Sequence, residues 1–218
     1  MDASLRCSSP PGWSPREYRT TPSSYCARVK LGSILTASRL ACDPRIRYSA
    51  SVDLDLATLR EMHPRLPFDV ALVMVGRAAL ALERNAHRSG VSLSIELEQT
   101  LSHAFLFWPA ADLNYIDQHD HNRITEEGAE VVALVLAHRY RSWQVVRRMQ
   151  HGDHADWLLA DPREGVQQEV ALEISGVDRG GIKARLSEKL SQVGKNTDAD
   201  QRWACVVGSK NRRPRFVS

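Results

Sequence analysis

Three short runs in the C-terminal half constrain this chain most: "SWQVVRRMQ" from Ser142, "HADWLLAD" from His154 and "QEVALEIS" from Gln168. Each has the length and apolar content of a strand, and only short turns separate them. A parallel pairing needs a crossover of about a dozen residues or more, so consecutive runs this close must form an antiparallel meander. Asp161-Pro162, with Gly165, supplies the second turn. Helices flank the meander. Before it, Thr125 has the chemistry of an N-cap, Glu126 and Glu127 fall in the first turn, and Val131, Leu134, Val135 and His138 carry a helix to about Arg139. After it, "GGIKARLSEKLSQVG" reads as a helix of about twelve residues stopped by Gly194, and "RWACVVGS" as a short strand. The order α, β, β, β, α, β lets the last strand join the sheet by crossover, giving a mixed α+β fold.

The N-terminal half is less regular. Residues 1–30 are rich in Ser, Pro, Thr and Arg and read as a loosely ordered tail. Residues 31–120 read as a separate α+β region of unknown role. It has a weak strand entering a short helix between Arg45 and Leu59, a helix over residues 68–88, and a hairpin of "VSLSIEL" with "HAFLFWP". The polar stretch "AADLNYIDQHDHNR" marks a boundary near residue 120, and residues 121–218 form the C-terminal unit.

With 29 basic and 26 acidic residues in 218, most charge cancels, so local patches matter more than the net +3. Arg147 and Arg148 in the first strand, and Arg212, Arg213 and Arg215 in the tail, suit a phosphate backbone, although a solvated basic face is the commoner use of such patches. Four cysteines without a CxxC pair exclude a zinc ribbon or disulfide framework and fit a reduced, cytoplasmic protein. The most apolar window, from Phe68, is interrupted by Asp69, Arg77 and Glu83, short of the ~20 uninterrupted apolar residues of a membrane helix.

Strand direction brings acids together. In an antiparallel pair the start of one strand lies beside the end of the next, so Asp156 meets Glu173. The N-terminal part of the first helix belongs at the same edge and delivers Glu126 and Glu130, which share a face at i, i+4. Such carboxylates form a hard-oxygen site suited to Mg²⁺ or Mn²⁺. A metal held there can activate water and neutralise charge growing on a phosphodiester.

The α-β-β-β-α-β order, Asp156 and then Glu173-Ile174-Ser175 after an apolar run resemble the PD-(D/E)XK, or restriction-endonuclease-like, nuclease superfamily over about residues 124–208. The resemblance implies metal-binding roles for Asp156 and Glu173, with help from Glu130 or Glu126. It also implies nucleic acid, chiefly DNA, as substrate, a setting in bacterial defence or repair, and a possible motor or recognition subunit as partner. Two positions depart from the pattern: Ala155 replaces a proline that only shapes the turn, and Ser175 replaces the catalytic lysine. Members of the superfamily are known to supply that group from the following helix. Lys183 and Lys189 are the candidates; six apart, they lie on different faces, so one at most serves. Lys189 sits between the apolar positions Leu186 and Leu190, on the flank facing the sheet, and is preferred.

The competing interpretation is a nuclease fold without activity, serving as a binding or assembly subunit. Other residues read as structural. His119 and His121 fall in a polar linker, His151 and His154 flank a turn, Trp143, Trp157 and Trp203 anchor strands, and Ser175 lacks the glycine elbow of a nucleophile.

Overall fold

The computed structural model describes residues 52–98, 100–112, 120–162, 168–178 and 181–208, and the main chain of residues 24–31. Among these residues eight strands form one mixed sheet: β1 (Ser24–Leu31), β2 (Val52–Asp55), β3 (Val91–Leu97), β4 (Thr100–Phe107), β5 (Gln144–Arg148), β6 (Trp157–Ala160), β7 (Glu169–Val177) and β8 (Gln201–Gly208). Their order is β2-β4-β3-β1-β8-β7-β6-β5. The helices are α1 (Leu59–Met62), α2 (Phe68–Arg84), α3 (His121–Arg141) and α4 (Ile182–Val193). The mixed α+β class read from the sequence is the class observed.

β5, β6 and β7 form the antiparallel meander, and β8 joins β7 in parallel after the α4 crossover. Helix α3 starts earlier than the sequence predicts. Its N-cap is Asp120, whose carboxylate accepts the Arg123 N–H at 2.9 Å, whereas Thr125 turns its hydroxyl back onto the His121 carbonyl. Glu126 and Glu127 therefore sit in the second turn. His121, read as part of a solvated linker, is the first helical residue and lies 2.8 Å from the Asp178 carboxylate. The polar composition of "DHNR" concealed a cap and the turn after it.

The largest departure is β1, which falls in the stretch read as a loose tail. It pairs antiparallel with β3 and parallel with β8, joining the β2-β4-β3 group to the C-terminal strands. Tyr25, Ala27, Val29 and Leu31 alternate with polar or small residues, a strand period diluted by the Ser and Pro before it. The sheet thus runs across the boundary expected near residue 120. So does the core: Leu54, Leu93 and Leu106 belong to one buried cluster with Val131, Leu134, Leu172 and Trp203.

The two faces of the sheet carry different cores. Alternation along β7 sends Val170, Leu172 and Ile174 to the α1–α3 side and Ala171 to the other, where Leu186 and Val193 of α4 pack with Leu158, Ala204 and Val206. Glycines set how closely α3 approaches its neighbours. A Cβ at Gly128 would lie 2.8 Å from the Ala81 Cβ on α2, and one at Gly176 would lie 2.4 Å from the Thr125 carbonyl oxygen. The bare backbone at Gly176 lets the N-terminal part of α3 close over the end of β7. No helix among the described residues is long and apolar enough to cross a membrane.

Candidate functional site: an acid cluster with two cations from one helix

Residues 171, 173 and 175 share a face of β7, so the register that buries Ala171 against α4 also places Glu173 and Ser175 beneath that helix. Glu173 is 2% exposed and Ser175 0%. An isolated buried carboxylate is costly, so the question is what answers its charge. The ammonium of Lys189 does: its Nζ lies 2.5 Å from Glu173 Oε1 and donates also to Gln192 Oε1 at 3.3 Å. Of the two lysines considered, Lys189 is the one brought to the strand acids, while Lys183 is exposed in the first turn of α4.

Asp156 precedes β6, and its main chain already pairs with β7, donating N–H to the Leu172 carbonyl at 3.0 Å. Its side chain continues that ladder by accepting the Ile174 N–H on Oδ2 at 2.7 Å. This contact fixes the carboxylate between the neighbours of Glu173. Glu130 on α3, 7% exposed, takes the Arg148 guanidinium at 2.8 Å, and that guanidinium stacks 5.2 Å above the Trp157 ring.

The titration behaviour follows from these surroundings. Burial pushes Glu173 up to about 7, the Asp156 charge pushes the same way, and the Lys189 hydrogen bond opposes both. Burial likewise pushes Glu130 up to about 7 against the pull of Arg148, with Asp156 adding repulsion. Asp156 is raised, first by burial and then by Glu126, against the Ile174 N–H, Lys189 and Arg148. Three carboxylates raised together, Glu130 and Glu173 buried and Asp156 half-buried, form a constellation short of positive charge.

Glu126 comes to the same edge, where its charge acts on Asp156 and Glu173. Its Oε2 accepts the Gly176 N–H at 2.9 Å, and its Oε1 accepts the Ser175 hydroxyl at 3.3 Å. It braces the end of β7. Of the two β5 arginines, Arg147 turns toward Asp153, 3.7 Å away, and Arg148 reaches Glu130. Neighbouring strand residues face opposite ways, and the shift of register between Val145 and Arg147 does not bring both arginines to the site. Arg212, Arg213 and Arg215 lie outside the described residues.

One residue in the cluster escaped the reading of the sequence. Arg185 donates from Nε to the Ser175 hydroxyl at 2.9 Å, and its Nη2 lies 3.6 Å from Glu126 Oε1. Its spacing was the available signal. Arg185 and Lys189 are four apart, so any helix face that presents one presents the other.

The oxygen donors are of the kind Mg²⁺ or Mn²⁺ takes, and a divalent ion would relieve the repulsion that raises Asp156, Glu130 and Glu173. Among the described residues, however, no three His, Cys, Asp or Glu side chains already converge at ligating distance. Lys189 and Arg148 hold oxygens that an ion would need, so loading requires those side chains to yield them.

The site and fold thus define a mixed α+β protein with a buried acid cluster answered by helix and strand cations. No protein-family model matches the chain, and no solved structure matches it. Over 96 residues the chain is 30% identical to Exoribonuclease 2 of Photorhabdus laumondii subsp. laumondii, an alignment that takes in 39% of this chain. The chain spans 14% of the length of that relative.

Proposed function

We propose that this protein is a metal-dependent phosphodiesterase acting on nucleic acid, with a restriction-endonuclease-like catalytic core in its C-terminal half. The observation that carries the reading is the Lys189 ammonium 2.5 Å from Glu173, beside Asp156, because it puts acid, acid and lysine together although the strand itself offers Ser175. Support of a coarser kind comes from the similarity to an exoribonuclease, which is a nuclease by name.

When bound, Mg²⁺ or Mn²⁺ supplies a Lewis acid for the phosphoryl oxygen and lowers the pKa of a coordinated water. Asp156 and Glu173 would hold the ion, with Glu130 as the third carboxylate. Lys189 then has two tasks. Without an ion it neutralises Glu173; with substrate present its ammonium meets the negative charge that grows on the phosphate. Arg148, stacked on Trp157 and tied to Glu130, takes a non-bridging phosphate oxygen from the β5 side. DNA is the substrate the superfamily resemblance implies, and RNA the one the relative's name points to.

Plasmid DNA and labelled RNA incubated with Mg²⁺ or Mn²⁺ test the proposal. Wild type cuts at least one of them. Glu173→Ala and Lys189→Ala each lose about 10²- to 10⁴-fold in rate, the range for a removed acid–base or charge-stabilising group. Calorimetric titration with Mn²⁺ adds a second readout, in which Asp156→Asn with Glu173→Gln loses the binding isotherm. A wild type that cuts neither polymer, or a Glu173→Ala protein that cuts as wild type does, overturns the reading.

A further inference from the structure

We propose that Arg185 forms a second phosphate-binding position, next to the one at Lys189, and that Ser175 is the residue that holds it there. The inference rests on the nucleic-acid reading above and adds a subsite to it.

The geometry comes from matching two repeats. Four residues of helix rise about 6 Å and two residues of strand about 6.6 Å, so a helix lying against a strand can keep step with it at one helical turn per strand pair. α4 keeps step with β7 in opposite directions: Arg185 meets Ser175 and Lys189 meets Glu173. The result is a row of two cations about 6 Å apart, over the edge where Asp156 and Glu126 also arrive. A nucleic-acid strand carries its charges in series, so a row is the arrangement that engages more than one phosphate.

Ser175 is therefore no vacancy. Its hydroxyl accepts from Arg185 Nε and donates to Glu126 Oε1, while Glu126 Oε2 accepts the Gly176 N–H. A lysine at position 175 would remove the acceptor that fixes the guanidinium and would add a cation beneath another. The remaining contacts of Arg185 are weak. Nη1 meets both oxygens of Glu188, a side chain 61% exposed, and Nη2 lies at ion-pair distance, 3.6 Å, from Glu126. Exposed i, i+3 pairs of this kind exchange readily for a better anion. A phosphate offers two oxygens to the Nη1 and Nη2 edge while Nε keeps its hold on Ser175.

The experiment is the salt dependence of binding, measured by fluorescence anisotropy with a short labelled single-stranded DNA or RNA in the Glu173→Gln background. Each phosphate contact on a single strand contributes about 0.7 to the slope of log affinity against log salt. Arg185→Gln is expected to flatten the slope by about that amount and to weaken binding about tenfold at low salt. Lys183→Gln removes the same charge from the exposed side of the same helix and leaves slope and affinity within about twofold of the parent. Arg185→Lys restores the slope, which separates loss of a phosphate contact from loss of fold. An Arg185→Gln slope equal to that of Lys183→Gln overturns the subsite while leaving the nuclease reading intact. Binding with the expected Arg185 effect, in a wild type that cuts nothing, keeps the phosphate site and rejects the nuclease. A protein that binds neither polymer rejects both.

Discussion

Two buried ionisable groupings in this molecule have opposite characters. His63, between α1 and α2, is fully buried and has a backbone partner for each ring nitrogen: Nε2 meets the Leu134 carbonyl at 3.1 Å and Nδ1 accepts the Val145 N–H at 3.1 Å. These partners require the neutral tautomer, and burial holds the ring down at about 4. It ties α3 to β5 and has nothing left to offer a substrate. In the other grouping Glu130 and Glu173 are buried, Asp156 is half-buried beside them, and the answering charges come from side chains, Arg148 and Lys189, rather than from backbone. A polar group closed off by backbone serves the fold; one balanced by exchangeable cations is equipped to receive a ligand.

The contrast is broken most directly by mutation. Glu173→Ala and Lys189→Ala are expected to remove activity by orders of magnitude while circular dichroism shows the fold retained. His63→Ala should do the reverse. It empties a ring-sized volume and leaves the Val145 N–H without its partner, costing about 2 to 4 kcal/mol in denaturant unfolding. Activity per folded molecule should then stay within about threefold of wild type. A His63 variant that is stable but inactive would end the comparison.

Proton linkage sharpens it. Glu173 and Glu130 titrate at about 7 in the fold against an ordinary 4.5, so between those values the folded chain binds more protons than the unfolded one. Stability of the metal-free protein therefore falls as pH rises through that window and is greatest, on this account, below about 4.5. His63 has the opposite sign. Its folded value of about 4 lies below its ordinary 6.5, so its contribution is complete above 6.5 and is lost as pH falls toward 4. From pH 8 to 6.5 only the carboxylates act, and the thermal midpoint should rise by the equivalent of about 1 kcal/mol. Below 6.5 the two effects oppose and the curve flattens. Glu173→Gln with Glu130→Gln should abolish the rise, and a saturating divalent ion should reverse it by favouring the ionised acids. A midpoint that climbs steadily from pH 6.5 to 8 in the metal-free wild type contradicts the assignment.

The smallest effect is expected at Lys183. Lys183→Ala should alter cutting less than twofold and stability by less than about 0.5 kcal/mol, because it removes an exposed helical side chain. A large loss there would transfer the role proposed for Lys189 to the first turn of α4.

Much of the C-terminal half was legible because its connections are short. Turns too brief for a crossover impose antiparallel pairing, which sets Asp156 and Glu173 toward one another; the register then pairs the start of β6 with the middle of β7, Trp157 opposite Leu172. The N-terminal half was legible as a helix and hairpin but not as part of the same sheet. β1 sits between β3 and β8, which are remote in sequence, and no local pattern names so distant a partner. Helix starts depend on capping contacts: Asp120 outcompeted Thr125 although both have side chains able to cap.

By itself, then, the sequence determined the order of the C-terminal elements, the antiparallel meander and the acids that meet at its edge, all consequences of period and loop length. Tertiary structure alone decided which cation meets the strand acids. The seating of α4 on β7 puts Lys189 on Glu173 and Arg185 on Ser175, and it depends on how Leu186 and Val193 pack against Ala171, Ala204 and Val206. The same packing excludes water from Glu173 and so raises its pKa, a property of depth rather than of residue type.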